Sequence, residues 1–230
     1  MPRRPRISTG GYVYHVLNRG VARLDIFEDD ADFSAFEEVL AEALARMPGV
    51  RLLSYCLMSN HWHLVLWPRR DGELSEFMRW LTVTHTQRWH AHHQTSGTGP
   101  VYQGRYKSFL IERDEHLLTV CRYVERNAAR ADLVERAEDW QWSSLHRWKF
   151  GPPEDEEANL VLSPWPIPGG RPKQWLRTVN RPLSERALEA VRVCANRGRP
   201  YGSERWCERV VKKFGLASTM RGVGRPRNAE

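Results

Sequence analysis

The chain has 230 residues, 41% hydrophobic and 27% charged, enough for one packed domain with an extension. No apolar run approaches the ~20 residues needed to cross a bilayer, and four scattered cysteines without a C-x-x-C pair fit neither a disulfide framework nor a zinc ribbon but reduced, buried thiols. The net charge of +7 is uneven: Gly169 to Glu230 carries 15 Lys plus Arg against 5 Asp plus Glu, an excess of +10 that leaves −3 for the rest and attracts a polyanion by counterion release.

Met1 to Arg6 is basic and leads into no apolar export segment, which implies a cytoplasmic protein; Arg3, Arg4 and Arg6 are candidates to reach a nucleic-acid backbone. Gly11 to Arg19 alternates β-branched and aromatic residues with polar ones, and Asn18-Arg19-Gly20 stops this first strand; Asn18 and Arg19 are further contact candidates. After Asp30, the spacing of Phe33, Phe36, Val39, Leu40 and Leu44 predicts a helix ended by Pro48-Gly49. Val50 to Met58 and His61 to Trp67 read as two antiparallel strands joined at Met58-Ser59-Asn60-His61. Glu73 to Gln94 is helical in period and broken by Gly97 to Pro100. Its His85, His90, His92 and His93 are expected on an exposed surface, with no more than two on one face.

Lys107 to Glu112 is a short strand, and Asp114 is a plausible N-cap for a helix from Glu115 to about Ala129. This order predicts an α+β fold, a ferredoxin-like antiparallel sheet with two helices on one face and an extra helix after it. Gly151 to Gly170, rich in proline and carrying Glu154-Asp155-Glu156-Glu157, is expected to be an extended linker. It divides a first domain, 1–150, from a basic helical extension, 171–230, with short helices at Ser184 to Cys194 and Ser203 to Phe214. Trp175, Tyr201, Trp206 and Phe214 interleave with the arginines there, a pattern suited to base stacking.

In His61-Trp62-His63 a period of two puts both imidazoles on one face of a strand, where they can meet one ion. Tyr123 and Asn127, four apart on a helix, lie one turn from each other. Laid over the sheet, that helix lets Asn127 offer an amide oxygen as third ligand with the Tyr123 hydroxyl beside the ion. Such a donor set suits Mg²⁺ or Mn²⁺ arriving with phosphate oxygens. A tyrosine attacking phosphorus conserves the ester's energy in a covalent phosphotyrosine, which a hydroxyl then reverses. The same spacing is equally compatible with a core-packed Tyr123 and an Asn127 that caps the helix.

Three segments, Leu57-Met58-Ser59-Asn60-His61-Trp62-His63-Leu64, Gly104-Arg105-Tyr106-Lys107-Ser108 and Arg122 to Ala131, together resemble the REP-associated tyrosine transposases. These are relatives of the single-tyrosine transposases of the IS200/IS605 kind, within the HUH endonuclease superfamily. The likeness runs from about Gly11 to Trp148 and continues in Arg197-Gly198-Arg199-Pro200-Tyr201-Gly202. It implies metal-dependent cleavage of single-stranded DNA, a 5′-phosphotyrosine intermediate and recognition of hairpins formed by repeated extragenic palindromes. By motif match it puts the metal on His61, His63 and Asn127 and the nucleophile at Tyr123. It also raises Arg105 and Lys107 as phosphate contacts, beside Arg197, Arg199, Arg225 and Arg227 of the basic extension. The family often has Asn-Pro where this chain has Asn127-Ala128, and a more apolar pair where it has Glu125-Arg126. A catalytically quiet hairpin-binding protein and a hydrolase using bound water are the other readings, and monomer and homodimer both stay open.

Overall fold

Strands buried on both faces give the molecule two cores, one on each side of a single sheet. A computed structural model describes residues 6–152 and 160–221; Arg3, Arg4, Arg225, Arg227 and the acidic run Glu154 to Glu157 lie outside them. The strands β1 (Val13–Arg19), β2 (Val50–Met58), β3 (His61–Pro68) and β4 (Lys107–Ile111) form the order β2-β3-β1-β4, each neighbouring pair antiparallel. Helices α1 (Asp30–Arg46) and α2 (Glu73–His92) connect them and cover one face, as the ferredoxin-like order requires. The opposite face takes α3 (Glu115–Glu125) and a single turn, α4 (Asn127–Arg130). The predicted continuous helix thus breaks at Arg126 (φ −90, ψ 7). After it come α5 (Ser144–Phe150), α6 (Trp175–Asn180), α7 (Glu185–Arg197) and α8 (Glu204–Phe214).

Local chemistry explains the punctuation. The Asp29 side chain accepts the amide of Asp32 at 3.1 Å to start α1, and Asp114 accepts that of His116 at 2.9 Å to start α3. Gly20 ends β1 where its amide meets the Asn60 carbonyl at 2.9 Å; a Cβ there would lie 2.3 Å from the Leu24 carbonyl oxygen, so only glycine fits. Between Leu52 and Ser54 a bulge shifts the register of β2. It lets Leu52, Tyr55 and Leu57 face α1 and α2 while Leu53, Cys56 and Met58 face α3.

The extension is built into this core. Trp175, Val179, Val191, Cys194 and Ala195 are buried with the α3 face, and Tyr201 exchanges backbone bonds with Leu110 (2.8 Å) and Glu112 (3.0 Å), covering the edge of β4. The described part of the proline-rich segment is irregular but lies against β2, where Ser163 donates to the Leu52 carbonyl (2.8 Å) and Trp165 Nε1 to that of Leu53 (2.9 Å). The aromatic residues expected to stack on bases are therefore structural. Trp175 is 1% exposed, Trp206 and Phe214 pack on the α1–α2 core, and Tyr201 holds the strand edge. All four cysteines are free and buried, and among the described residues no helix is long and apolar enough to cross a membrane.

Candidate active site and nucleic-acid interface

The β1–β3 register pairs Arg19 with His61, Leu17 with His63 and His15 with Val65, so His15 stands on the same face as the two predicted imidazoles. Helix α3 crosses that face. It brings the Tyr123 ring to 5.7 Å from the His63 ring and 6.2 Å from the His15 ring, both edge-on, while His61 and His63 stand 5.1 Å apart, nearly perpendicular. Across the break at Arg126, Asn127 presents Nδ2 at 3.4 Å from His61 Nε2. The four predicted residues are thus gathered at one place, with His15 and Arg130 beside them.

Each ring is oriented from behind. Asn60 Oδ1 accepts from His61 Nδ1–H at 2.7 Å, which leaves the Nε2 lone pair toward Asn127. His63 Nδ1 lies 2.8 Å from His15 Nε2, the two rings stacked at 5.0 Å. Burial pushes the His61 imidazolium down to about 4, helped by the charges of Arg19 and Arg130. Burial likewise pushes His15 down to about 3, and drives His63 well below the ordinary imidazole range with the neighbouring histidines adding to it. All three are neutral near pH 7, the form a metal ligand needs. Arg130 donates to Asn127 Oδ1 and to the Tyr123 carbonyl (3.2 Å), and its guanidinium sits 4.4 Å over the Tyr123 ring.

This donor set fits a divalent cation in two respects and strains against it in one. Two neutral imidazoles with an amide oxygen leave room for phosphate oxygens and, through their nitrogens, rank Mn²⁺ above Mg²⁺. The Asn127 oxygen, however, faces Arg130, so Asn127 reaches an ion only after a half-turn of its amide. A second set of donors, Asp32, His92 and His93, stands elsewhere, with His93 Nε2 at 2.9 Å from Asp32 Oδ1. His85 does not share the exposed surface expected for it. It continues the inward stripe Leu74, Met78 and Leu81, is 3% exposed and bonds the Tyr102 hydroxyl at 2.8 Å.

Beside the histidines, a cationic groove of about 380 Å³ opens between the end of β1 and the start of β4, lined by Arg6, Arg19, Arg105 and Lys107. Arg105 and Lys107 are exposed, whereas Arg6 lies 4.0 Å over the Tyr106 ring and donates to its carbonyl at 2.9 Å. An adjoining cavity of about 520 Å³ adds Arg197. Asn18 lines the cationic groove and ties it together: largely buried, it donates to the Gly104 carbonyl (3.2 Å) and accepts from the Arg19 amide (3.0 Å). Arg199 lines neither cavity and has Cys194 and Cys207 as neighbours. Sequence reasoning assigned no role to His15 or Arg130. Arg130 was detectable, three and seven residues after Asn127 and Tyr123 on one helical face; His15 was not, because its partner is fixed by register between strands.

Comparison with known proteins agrees with this fold. A curated Haemophilus influenzae protein, named as a REP-associated tyrosine transposase, is 24% identical over 128 residues, 52% of this chain and 67% of its own length. A solved REP-associated tyrosine transposase bound to a REP hairpin superposes with a TM-score of 0.52 at 15% identity, covering 70% of this chain and 93% of that one, a likeness of fold. The family model described as "Transposase IS200 like" matches residues 8–127, more than half of the chain and the whole span from His15 through His61 and His63 to Tyr123 and Asn127. The chain belongs to the IS200-like transposase family.

Proposed function

We propose that this transposase cleaves and rejoins single-stranded DNA at or near hairpins of the REP type through a covalent 5′-phosphotyrosine on Tyr123. The observation that carries the reading is the edge-on approach of the Tyr123 ring to His63 at 5.7 Å beside His61 and Asn127. The Tyr123 oxygen attacks the phosphorus, the P–O3′ bond breaks, the phenolic proton is released to solvent and the departing 3′ oxygen takes one up. Rejoining reverses these steps with a 3′-hydroxyl as attacking group. The Arg130 guanidinium over the ring attracts the charge developing on the phenol oxygen. His61, His63 and, after its amide turns, Asn127 would hold Mg²⁺ or Mn²⁺, which when bound polarises the scissile phosphate.

Hairpin DNA as the ligand is supported by the relative solved with a REP hairpin and by the cationic groove beside the histidines. Labelled hairpin DNA incubated with the full chain and Mn²⁺ is expected to yield a denaturant-resistant protein–DNA adduct that disappears in Tyr123→Phe. Cleavage surviving in that variant would instead mean that water is the nucleophile. The bond from Arg130 to the Asn127 oxygen favours a second reading, a hairpin binder that no longer cuts; tight binding without an adduct under any divalent cation is its signature.

A further inference from the structure

His15 is wholly buried, yet its Nδ1 finds no hydrogen-bond partner among the described residues, while its Nε2 stands 2.8 Å from His63 Nδ1. A buried nitrogen without a partner is uncommon in a native fold, and one on the histidine behind a candidate ligand calls for a reason. The pair can share its proton in two ways. If His15 Nε2–H donates, His63 carries its own proton on Nε2, the nitrogen left for the site, and is closed to a cation. If His63 Nδ1–H donates to His15 Nε2, His63 turns a lone pair toward the site and the second proton of the pair moves to the partnerless Nδ1 of His15. The surroundings of that ring are Phe109 (4.8 Å), Tyr123 (6.2 Å) and His63 itself, with no carboxylate among the groups that shift it.

We infer that His15 is a positioning residue for the divalent cation: it accepts the Nδ1 proton of His63, so that binding of the ion selects the second arrangement. The inference rests on the reading of His61 and His63 as metal ligands. Outer partners of ligating histidines ordinarily fix the ring's tautomer, and their loss costs about 10–100-fold in metal affinity. His61 has an amide oxygen in that role, which can only accept; His63 has an imidazole, which can accept or donate. The two ligands therefore differ in that only His63 has a protein-held state that refuses the ion.

The test uses the full chain and two readouts that do not depend on cleavage. Mn²⁺ affinity is measured for wild type, His15→Phe and His15→Gln, the first keeping a ring without an acceptor and the second restoring an acceptor oxygen near the position of Nε2. The expected result is a 10–100-fold weakening in His15→Phe with recovery in His15→Gln. In parallel, ¹⁵N-detected tautomer assignment of His63 in the wild type with saturating Mg²⁺ is expected to show the proton on Nδ1. A folded His15→Phe that binds Mn²⁺ like wild type, or a His63 proton on Nε2 with the ion bound, overturns the inference. If His15→Phe does not fold, the wild-type tautomer decides alone. A wild-type protein that binds no Mn²⁺ overturns the metal reading as well, whereas cleavage surviving in Tyr123→Phe strikes the nucleophile and leaves this inference standing.

Discussion

Both sides of the sheet bury histidines, and the two sides treat them differently. On the α1–α2 side, Trp62 Nε1 donates to the Tyr102 oxygen (3.1 Å), leaving the Tyr102 hydroxyl hydrogen for His85 Nδ1 (2.8 Å), so that a chain of donors fixes where each proton lies. Nearby, Glu37 accepts from Tyr55 (2.6 Å) and Arg147 (2.8 Å), a buried ion pair with its hydrogen bonds made. On the α3 side, His15 keeps an unpartnered nitrogen, His61 has its Nε2 toward Asn127, His63 shares a proton with another imidazole, and Arg130 stands close to both ring ligands. The buried histidine of the α1–α2 side is satisfied within the chain, whereas on the α3 side one is left short of a partner beside the candidate site.

That contrast breaks most readily by truncation. Phe36 packs on Trp62 and His85 at the centre of the α1–α2 core, and Phe36→Ala is expected to cost about 3–5 kcal/mol in a urea melt. Folded molecules of that variant should cleave as the wild type does. The α3 side has a structural element of its own: Glu125, fully buried, accepts from Ser144 (2.7 Å), Trp175 Nε1 (2.6 Å) and Arg171, tying α3 to the extension. Glu125→Ala leaves a nearly buried guanidinium unpaired, and a loss of about 3–5 kcal/mol is expected. Tyr123→Phe, by contrast, should melt within about 1 kcal/mol of wild type while forming no adduct. A large stability loss in Tyr123→Phe would show the phenol to be a core group and erase the difference between the faces.

The elements themselves were readable because their signals are local. Alternation marks β1 and the β2–β3 hairpin, the 3.6-residue stripe marks α1 and α2, and Asp114 starts α3 as a cap should. His61, His63, Tyr123 and Asn127 were gathered by motif, and the fold brings them within reach of one another. What escaped is what depends on distant partners. The role of Glu125 needs Trp175 and Arg171 fifty and forty-six residues away, so it read only as a departure from an apolar pattern. Trp175 looked like a base-stacking residue because its burial depends on the same contact. His15 needs the strand register, and the break at Arg126 is marked in the sequence only by Asn127, a weak helix former followed by alanine rather than proline.

Acid sharpens the comparison at smaller amplitude. The imidazolium of His85 is pushed down to about 4 by burial, as is that of His61, and that of His15 to about 3. An unfolded histidine takes up its proton near pH 6.5. As pH falls below that value the unfolded chain binds protons that the native state refuses, so stability drops, by up to about 1.4 kcal/mol per pH unit for each such histidine, until the folded values are reached. In chelator, His85→Gln is expected to flatten the stability profile between about pH 6 and 4.5 by one proton without changing Mn²⁺ affinity. His15→Phe should flatten it equally and weaken Mn²⁺ binding. Identical effects of the two on Mn²⁺ affinity would contradict the assignment of one histidine to the fold and the other to the site.

The smallest effect concerns charge at the rim. Arg105 and Lys107, the foremost phosphate candidates in the sequence, are exposed and line the groove beside the histidines, whereas Arg199, a candidate of the basic extension, lies with Cys194 and Cys207 and does not line it. Each phosphate contact on a single strand contributes roughly 0.7 to the slope of log K against log salt. Arg105→Gln and Lys107→Gln are each expected to lower the slope for hairpin DNA with a single-stranded foot by about that much, alike for every sequence, since a phosphate contact carries no base information. Arg199→Gln should leave the slope where it was. Equal losses at all three positions would mean that the basic charge acts as a diffuse cloud, and the groove would then have no claim to the path of the strand.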